Sequence, residues 1–457
     1  MLNRLLLMTF CCALVACAQL TSKSKSAKDM EIDFDVTKKV LDNGLTLLMV
    51  EDHKLPIFTF VAYYKVGGKF ETPGVTGSSH LLEHMMFKGA KKYGENEFDK
   101  LVEGNGGRNN AYTTHDNTVY YESLPSEHIN TIIDLEADRM QNLLLAPQSF
   151  EKERNVVLEE RKMRYENSDR GAIFLKMMQE TFKGTPYGNS VIGEVEDLKT
   201  ISREEVQRYF KQYYAPNNAI IVIVGDIDKD DVYSEIKNRF GKIPAVKNLA
   251  EQKKSHIEKQ GGFEFKQKFG KRFDLKGQSP NPSFILGYKG VPITNKDGYI
   301  LDILSGVLGG GASSYLFQNF VTNKKPILSQ VYASNYTLQN SGVFFVGGEL
   351  LQKQPLDQTL SHIKTALNKS CLHAINERSI QKVKNQFLTD TIMGLDTNDA
   401  VAKYLGDREF FFGDYNHYKK EMDIYEAITV EEVQKACQEY IKNATPHTFT
   451  IWNKNKG

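Results

Sequence analysis

The sequence predicts an α+β fold built from two homologous tandem domains, each a mainly antiparallel sheet packed with helices. Three observations predict it. The stretch "ISREEVQRYFKQYYAPNNAIIVIVGDID", from Ile201, is echoed by "ITVEEVQKACQEYIKNATPHTFTIWNK", from Ile428. Ile201/Ile428, Glu204/Glu431, Glu205/Glu432, Val206/Val433 and Gln207/Gln434 match at one constant offset of about half the chain, the mark of a duplicated unit. Both copies read as a capped amphipathic helix followed by an apolar, β-rich strand. Both halves also mix helix and hairpin signals, and helices with antiparallel strands in each half give an α+β fold.

Taken in order, the first residues stand outside that fold. Met1 to Arg4 form a short positive end, and Leu5 to Ala16 an apolar run too short to span a bilayer. Residues 1–17 therefore read as a secretory signal peptide. Its ending, Leu14-Val15-Ala16-Cys17, resembles the lipobox of bacterial lipoproteins, in which Cys17 would carry lipid. Ordinary cleavage around Ala16-Cys17-Ala18 is the alternative. Residues 18–32, with "TSKSKSAK", fit a polar tether. The resemblance implies export to the periplasmic face, with a lipid anchor in the outer membrane as the only membrane attachment.

Domain one is expected over 33–244, a linker over 245–262 and domain two over 263–457. "KKVLDNGLTLLMVED" opens domain one as a hairpin turning at Asp42-Asn43-Gly44. "SEHINTIIDLEADRMQNLL" and "LDQTLSHIKTALNKS" read as helices, "KKSHIEKQ" as solvated linker, and Gly309-Gly310-Gly311 as a flexible turn. Lys+Arg 58 against Asp+Glu 57 leaves nothing that calls for a nucleic-acid partner. Of the five cysteines only Cys371 and Cys437 would remain in the folded domains. An exported chain allows them a disulfide or two buried thiols.

The chemistry concentrates in "HLLEH", His80 to His84. Residues four apart share a helix face, so His80 and His84 can present two imidazoles to one ion. Glu83 borders that face and reads as a general base, in the inverse of the His-Glu-x-x-His order. Zn²⁺ suits two nitrogens, a carboxylate and one open position. The helical segment "SFEKERNVVLEERKMRYE" supplies the carboxylate. Glu153 and Glu160 are about 20° apart around that helix, whereas Glu159 points roughly 120° away. Glu160 thus reads as the third ligand with Glu153 as the acid behind it, whereas without the histidines the segment would read as a solvated acidic helix face.

These residues resemble the pitrilysin-type inverzincins, a zinc metallopeptidase family that includes insulin-degrading enzyme and the mitochondrial processing peptidase. The resemblance covers nearly the whole mature chain. It implies one zinc ion on His80, His84 and Glu160, with Glu83 as base. A second family pattern stands in "GGRNNAYTTHDNTVYYESLP", where Gly106, Gly107, Asn110, Ala111, Thr113, Thr118 and Tyr120 match. It implies a sheet-edge strand, with Asn110 and Ala111 in it, onto which a peptide substrate is added by main-chain pairing. His115 and His128 read as structural or surface residues.

The pattern breaks in "GASSYLFQNFVTNKKPILSQVYAS". Relatives that act alone carry an Arg and, seven residues on, a Tyr that reach the substrate carbonyl. Those places fall at about Thr322 and Ser329 here. The break implies a paralogous partner supplying the pair, as in two-chain family members, or else a diverged homodimer or monomer. A non-catalytic binding or assembly protein is the competing class, and its mark would be a degenerate Glu83 or Glu160.

Overall fold

The computed structural model describes residues 32–95 and 97–453. The signal, lipobox and tether readings, Cys17 included, lie outside the described residues. Among these residues no helix is long and apolar enough to cross a membrane.

Two sheets carry the duplication. The first holds β1 (Val36–Val40), β2 (Thr46–Glu51), β3 (Ile57–Tyr64), β4 (Arg108–Thr113), β5 (Thr118–Pro125) and β6 (Ala219–Gly225) in the order β1-β2-β6-β3-β5-β4. The second holds β7 (Arg272–Lys276), β8 (Ser283–Lys289), β9 (Leu328–Thr337), β10 (Gly342–Leu350) and β11 (His447–Trp452) in the order β7-β11-β8-β10-β9. Leaving out β1, the two orders superpose strand for strand. The single parallel pair also recurs, β2 with β6 and β7 with β11. The repeated helices are Arg203–Tyr213 and Val430–Cys437. Each starts from a reciprocal capping box, at Ser202/Glu205 and Thr429/Glu432, which satisfies amides that the first turn leaves unpaired. The β1–β2 hairpin turns at Gly44, whose φ of 86° is open to glycine at no steric cost.

Each sheet is covered on one face by helices of its own half and on the other by a helix lent from the opposite half. Helix Asp169–Thr181 presses Ile173, Met177 and Met178 onto Ile285, Phe449 and Ile451 of the second sheet. Helix Asn398–Phe412 returns Val401, Ala402 and Leu405 to Val61, Tyr63 and Val222 of the first. The exchange makes the apolar cores of the two halves mutually dependent.

Two expectations are corrected. The stretch read as solvated linker is the helix Leu249–Lys259, seated through buried Leu249 and through Lys253. The Lys253 ammonium bonds the Asn218 side chain at 3.0 Å and lies 4.6 Å from the Phe70 ring centre. Burial pushes it down to about 7. Long lysine stems cover apolar surface, so a charged run hid a packed face. The glycine run is a turn only in part: Gly310 and Gly311 bend away after a helix, Gly311 at φ 80°, but the first glycine is packed. Gly309 ends helix Lys296–Gly309 against β9, and a Cβ there would lie 2.1 Å from the Ala333 nitrogen. The cysteines, left open by sequence, form a disulfide with Cα atoms 5.4 Å apart, joining helices Leu356–His373 and Val430–Cys437.

Candidate metal centre

The helix Ser78–Met85 starts from Gly77, whose φ of 87° turns the chain sharply into its first residue. Its free N-terminal amides find the Glu71 carboxylate, which accepts from Gly77 N–H at 2.6 Å and Ser79 N–H at 2.7 Å. Burial pushes the Glu71 carboxyl up to about 7, against the pull of those amides. Leu81, Leu82 and Met85 anchor the helix in the core, leaving His80 and His84 on another face. Helix Pro147–Arg161 lies against it, seated by Phe150 and Val157.

His80, His84 and Glu160 each bring one ligand atom into a group within 4.8 Å. The Glu160 Oε2 lies 3.6 Å from His80 Nε2 and 3.4 Å from His84 Nε2. On its other side His84 Nδ1 meets the buried Glu153 carboxylate at 3.2 Å, which fixes the ring and leaves Nε2 facing Glu160. Burial, with His84 beside it, pulls His80 down to about 4 and so keeps its imidazole neutral, the form that ligates metals. Burial works against the charged form of His84 too, but Glu160 and Glu153 outweigh it and raise its proton affinity. Hydrogen bonding by His84, with the Arg164 charge beside it, holds Glu160 below the usual carboxylate range. Two imidazoles and a carboxylate converging this closely can hold a divalent ion such as zinc. Glu159, as its angle around the helix requires, is exposed.

Glu83 stands on the same cavity, outside the convergent group, and accepts from the Thr113 hydroxyl. Burial raises its carboxyl, the direction that suits a base working near neutral pH. The strand β4, which carries Asn110, Ala111 and Thr113, pairs among the described residues with β5 alone and forms an edge of the first sheet. Residues 110 to 114 line a cavity of about 480 Å³ together with His80, Glu83, His84 and Glu160. A larger cleft of about 1000 Å³ opens between helices of the second half, but several of its polar groups are already engaged. There Arg408 pairs with Glu421 at 2.8 Å, and Tyr425 bonds Asp302 at 2.8 Å. The smaller cavity holds the convergent chemistry.

Neither Thr322 nor Ser329 lines that cavity; the Ser329 hydroxyl bonds the Glu349 carbonyl at 3.2 Å. The second half instead sends in Tyr336 from β9, which the motif comparison missed. The alternation Tyr332, Ser334, Tyr336 along a strand was the available signal. The one arginine of the lining, Arg164, lies 2.9 Å from Glu160 Oε1. Beside the cavity the β9–β10 turn is pinned to the first half. Lys69 Nζ donates to Asp116 at 2.8 Å and to Gln339 at 2.6 Å, and Asn340 N–H donates to the Tyr187 hydroxyl at 3.1 Å. His115 is a structural member of this wall, with Nε2 on the Asn189 carbonyl at 3.2 Å. His128 stands apart, next to Glu127.

Comparison with known proteins gives a matching picture. The family described as Insulinase (Peptidase family M16) matches residues 48–195, and the Peptidase M16 inactive domain matches residues 200–387. The chain is 30% identical over 424 residues to the zinc protease PqqE of Helicobacter pylori, covering 90% of this chain and 91% of that protein. It is 25% identical to the mitochondrial-processing peptidase subunit beta of Blastocladiella emersonii, over 88% of this chain and 85% of that one. The crystal structure of a protease from Helicobacter pylori superposes with a TM-score of 0.82 at 27% identity, covering 92% of this chain and all of that one.

Proposed function

Because the chain belongs to peptidase family M16, we propose that it is a zinc-dependent endopeptidase hydrolysing peptides or unfolded segments. His80, His84 and Glu160 would hold one zinc ion, and Glu83 would act as the base. One observation carries the reading: two imidazoles and a carboxylate converge within 4.8 Å on a cavity that also presents Glu83 and an open sheet edge.

A bound zinc ion supplies Lewis acidity, acidifying water and polarising the scissile carbonyl. The chain's own residues do the rest. Glu83, oriented by the Thr113 hydroxyl, takes the proton of the attacking water and returns it to the leaving amine. The free edge of β4 receives the peptide as an added strand, with Asn110 and Ala111 mid-strand, so affinity comes from main-chain pairing. Glu153 holds the His84 ring in its ligating orientation. Glu153→Gln is therefore expected to weaken zinc binding about ten- to a hundredfold, read from chelator competition, with the fold intact.

The finer part of the reading is a two-chain enzyme in which this chain bears the zinc, or a pairing of two copies. Charge develops on the carbonyl oxygen during attack, and one missing donor there typically costs about a hundred- to a thousandfold in rate. Tyr336 offers a neutral donor, but the one arginine among the described lining residues is committed to Glu160. A second chain would bring the fixed cation. The test is chelator-sensitive turnover of a quenched peptide by this chain alone and with a paralogous chain. Full turnover alone contradicts the partner; no turnover in either arm favours the binding-protein class. Export with lipid on Cys17 belongs to the same reading, and the intact mass of the mature chain decides it.

A further inference from the structure

Past Glu160 the cleft continues into a second cavity of about 560 Å³, which shares Arg164, Tyr165 and Phe174 with the metal cavity. Its character differs. Arg170 joins Arg164 there, with the hydroxyl-bearing Ser168, Ser334 and Tyr332 around them and no carboxylate among the described lining residues. Arg170 is exposed and has no ion-pair partner among the described residues. The nearest acid in sequence, Asp169, is turned away, accepting from Gln278 N–H at 2.8 Å and Ser279 N–H at 2.9 Å. Glu166 is engaged with Arg161 at 3.3 Å. The Arg170 charge is felt inside the cavity: burial raises the Tyr332 phenol, and Arg170 pulls it back.

An unpaired guanidinium at the mouth of a cleft with aromatic walls is suited to a carboxylate, which it can grip with two parallel N–H bonds. The cleft's position says where that carboxylate sits. Arg164 lies four residues beyond Glu160, where helix Pro147–Arg161 passes into the π-helical Lys162–Glu166, roughly 5 Å along the axis. An extended peptide on β4 covers that distance in about two residues.

We propose that this extension is a subsite for a carboxylate of the substrate peptide about two residues from the scissile bond, received by Arg170, while Arg164 stays on Glu160. The carboxylate is either an acidic side chain or the peptide's own C-terminus. The inference rests on the zinc-peptidase reading and deepens it by naming a substrate class.

The experiment uses matched quenched peptides that carry Glu, Gln or Lys at each of the three positions on either side of the cleaved bond. A second pair, uncharged in its side chains, ends in a free acid or an amide. Each is measured as kcat/KM with the zinc-loaded full chain and with Arg170→Gln and Arg170→Glu. The same peptides, labelled and unquenched, are titrated into zinc-loaded Glu83→Gln protein to read binding without turnover. A preference for Glu over Gln on the order of tenfold is expected at one position, or for acid over amide in the second pair. The preference collapses in Arg170→Gln and turns towards Lys in Arg170→Glu. Equal binding of charged and neutral peptides, or a preference that survives Arg170→Gln, overturns the subsite. Charge-dependent binding with no hydrolysis would sink the peptidase reading and leave the subsite standing; hydrolysis without charge preference does the reverse.

Discussion

Glu83→Gln is expected to lower kcat by on the order of a hundred- to ten-thousandfold while leaving one zinc ion per chain. The substitution keeps the shape of the side chain and a hydrogen-bonding partner for the Thr113 hydroxyl, so the helix Ser78–Met85 has no reason to move. It removes only the ability to take a proton. Glu83 lies outside the group formed by His80, His84 and Glu160, so no ligand is lost. On the proposed reading the peptide binds the main-chain edge of β4, and the new glutamine still offers Thr113 an acceptor there, so KM should stay within a few-fold of the parent. Steady-state kinetics with metal analysis of the same sample checks both halves of the expectation.

The second large effect is loss of the ion. His80→Ala, His84→Ala and Glu160→Ala should each come through dialysis without zinc and without measurable hydrolysis. Each leaves two donors where a catalytic zinc site uses three protein ligands. Loss of fold is the competing explanation, since His80 is buried in the helix that carries the site. Thermal unfolding separates the two. A ligand that binds only the native state stabilises it by about 2.7 kcal/mol at a hundred times its Kd. Added zinc should raise the Tm of the parent and of Glu83→Gln but not that of the three ligand variants. A zinc-dependent rise in Glu160→Ala would remove Glu160 from the ligand set.

The residues of the site that could be read from sequence are those whose relation is local. His80 and His84 are joined by one helical turn, and Glu153 and Glu160 by two, so periodicity alone aligned each pair. That the two helices face each other was not readable from spacing; it follows from the packing of Phe150, Val157, Leu81 and Leu82 in one core. The duplication was legible because the capping box and the following strand are both local, and the strand orders of the two sheets repeat it. What escaped notice is non-local. Tyr336 lines the cavity beside a β9–β10 turn held by Lys69, Asp116 and Tyr187, residues far away in the chain. The exchange of helices between the halves is invisible to periodicity for the same reason. Helix Leu249–Lys259 escaped differently, because lysine stems did the covering that apolar residues usually do.

The most direct measurement of the central claim is the position of the ion itself, from anomalous diffraction on either side of the zinc edge with crystals of the zinc-loaded chain. The account predicts one peak per chain between His80 Nε2, His84 Nε2 and the Glu160 carboxylate, with Glu83 beyond bonding distance. A peak that takes Glu83 as a ligand, or that lies away from the helix Ser78–Met85, would contradict it.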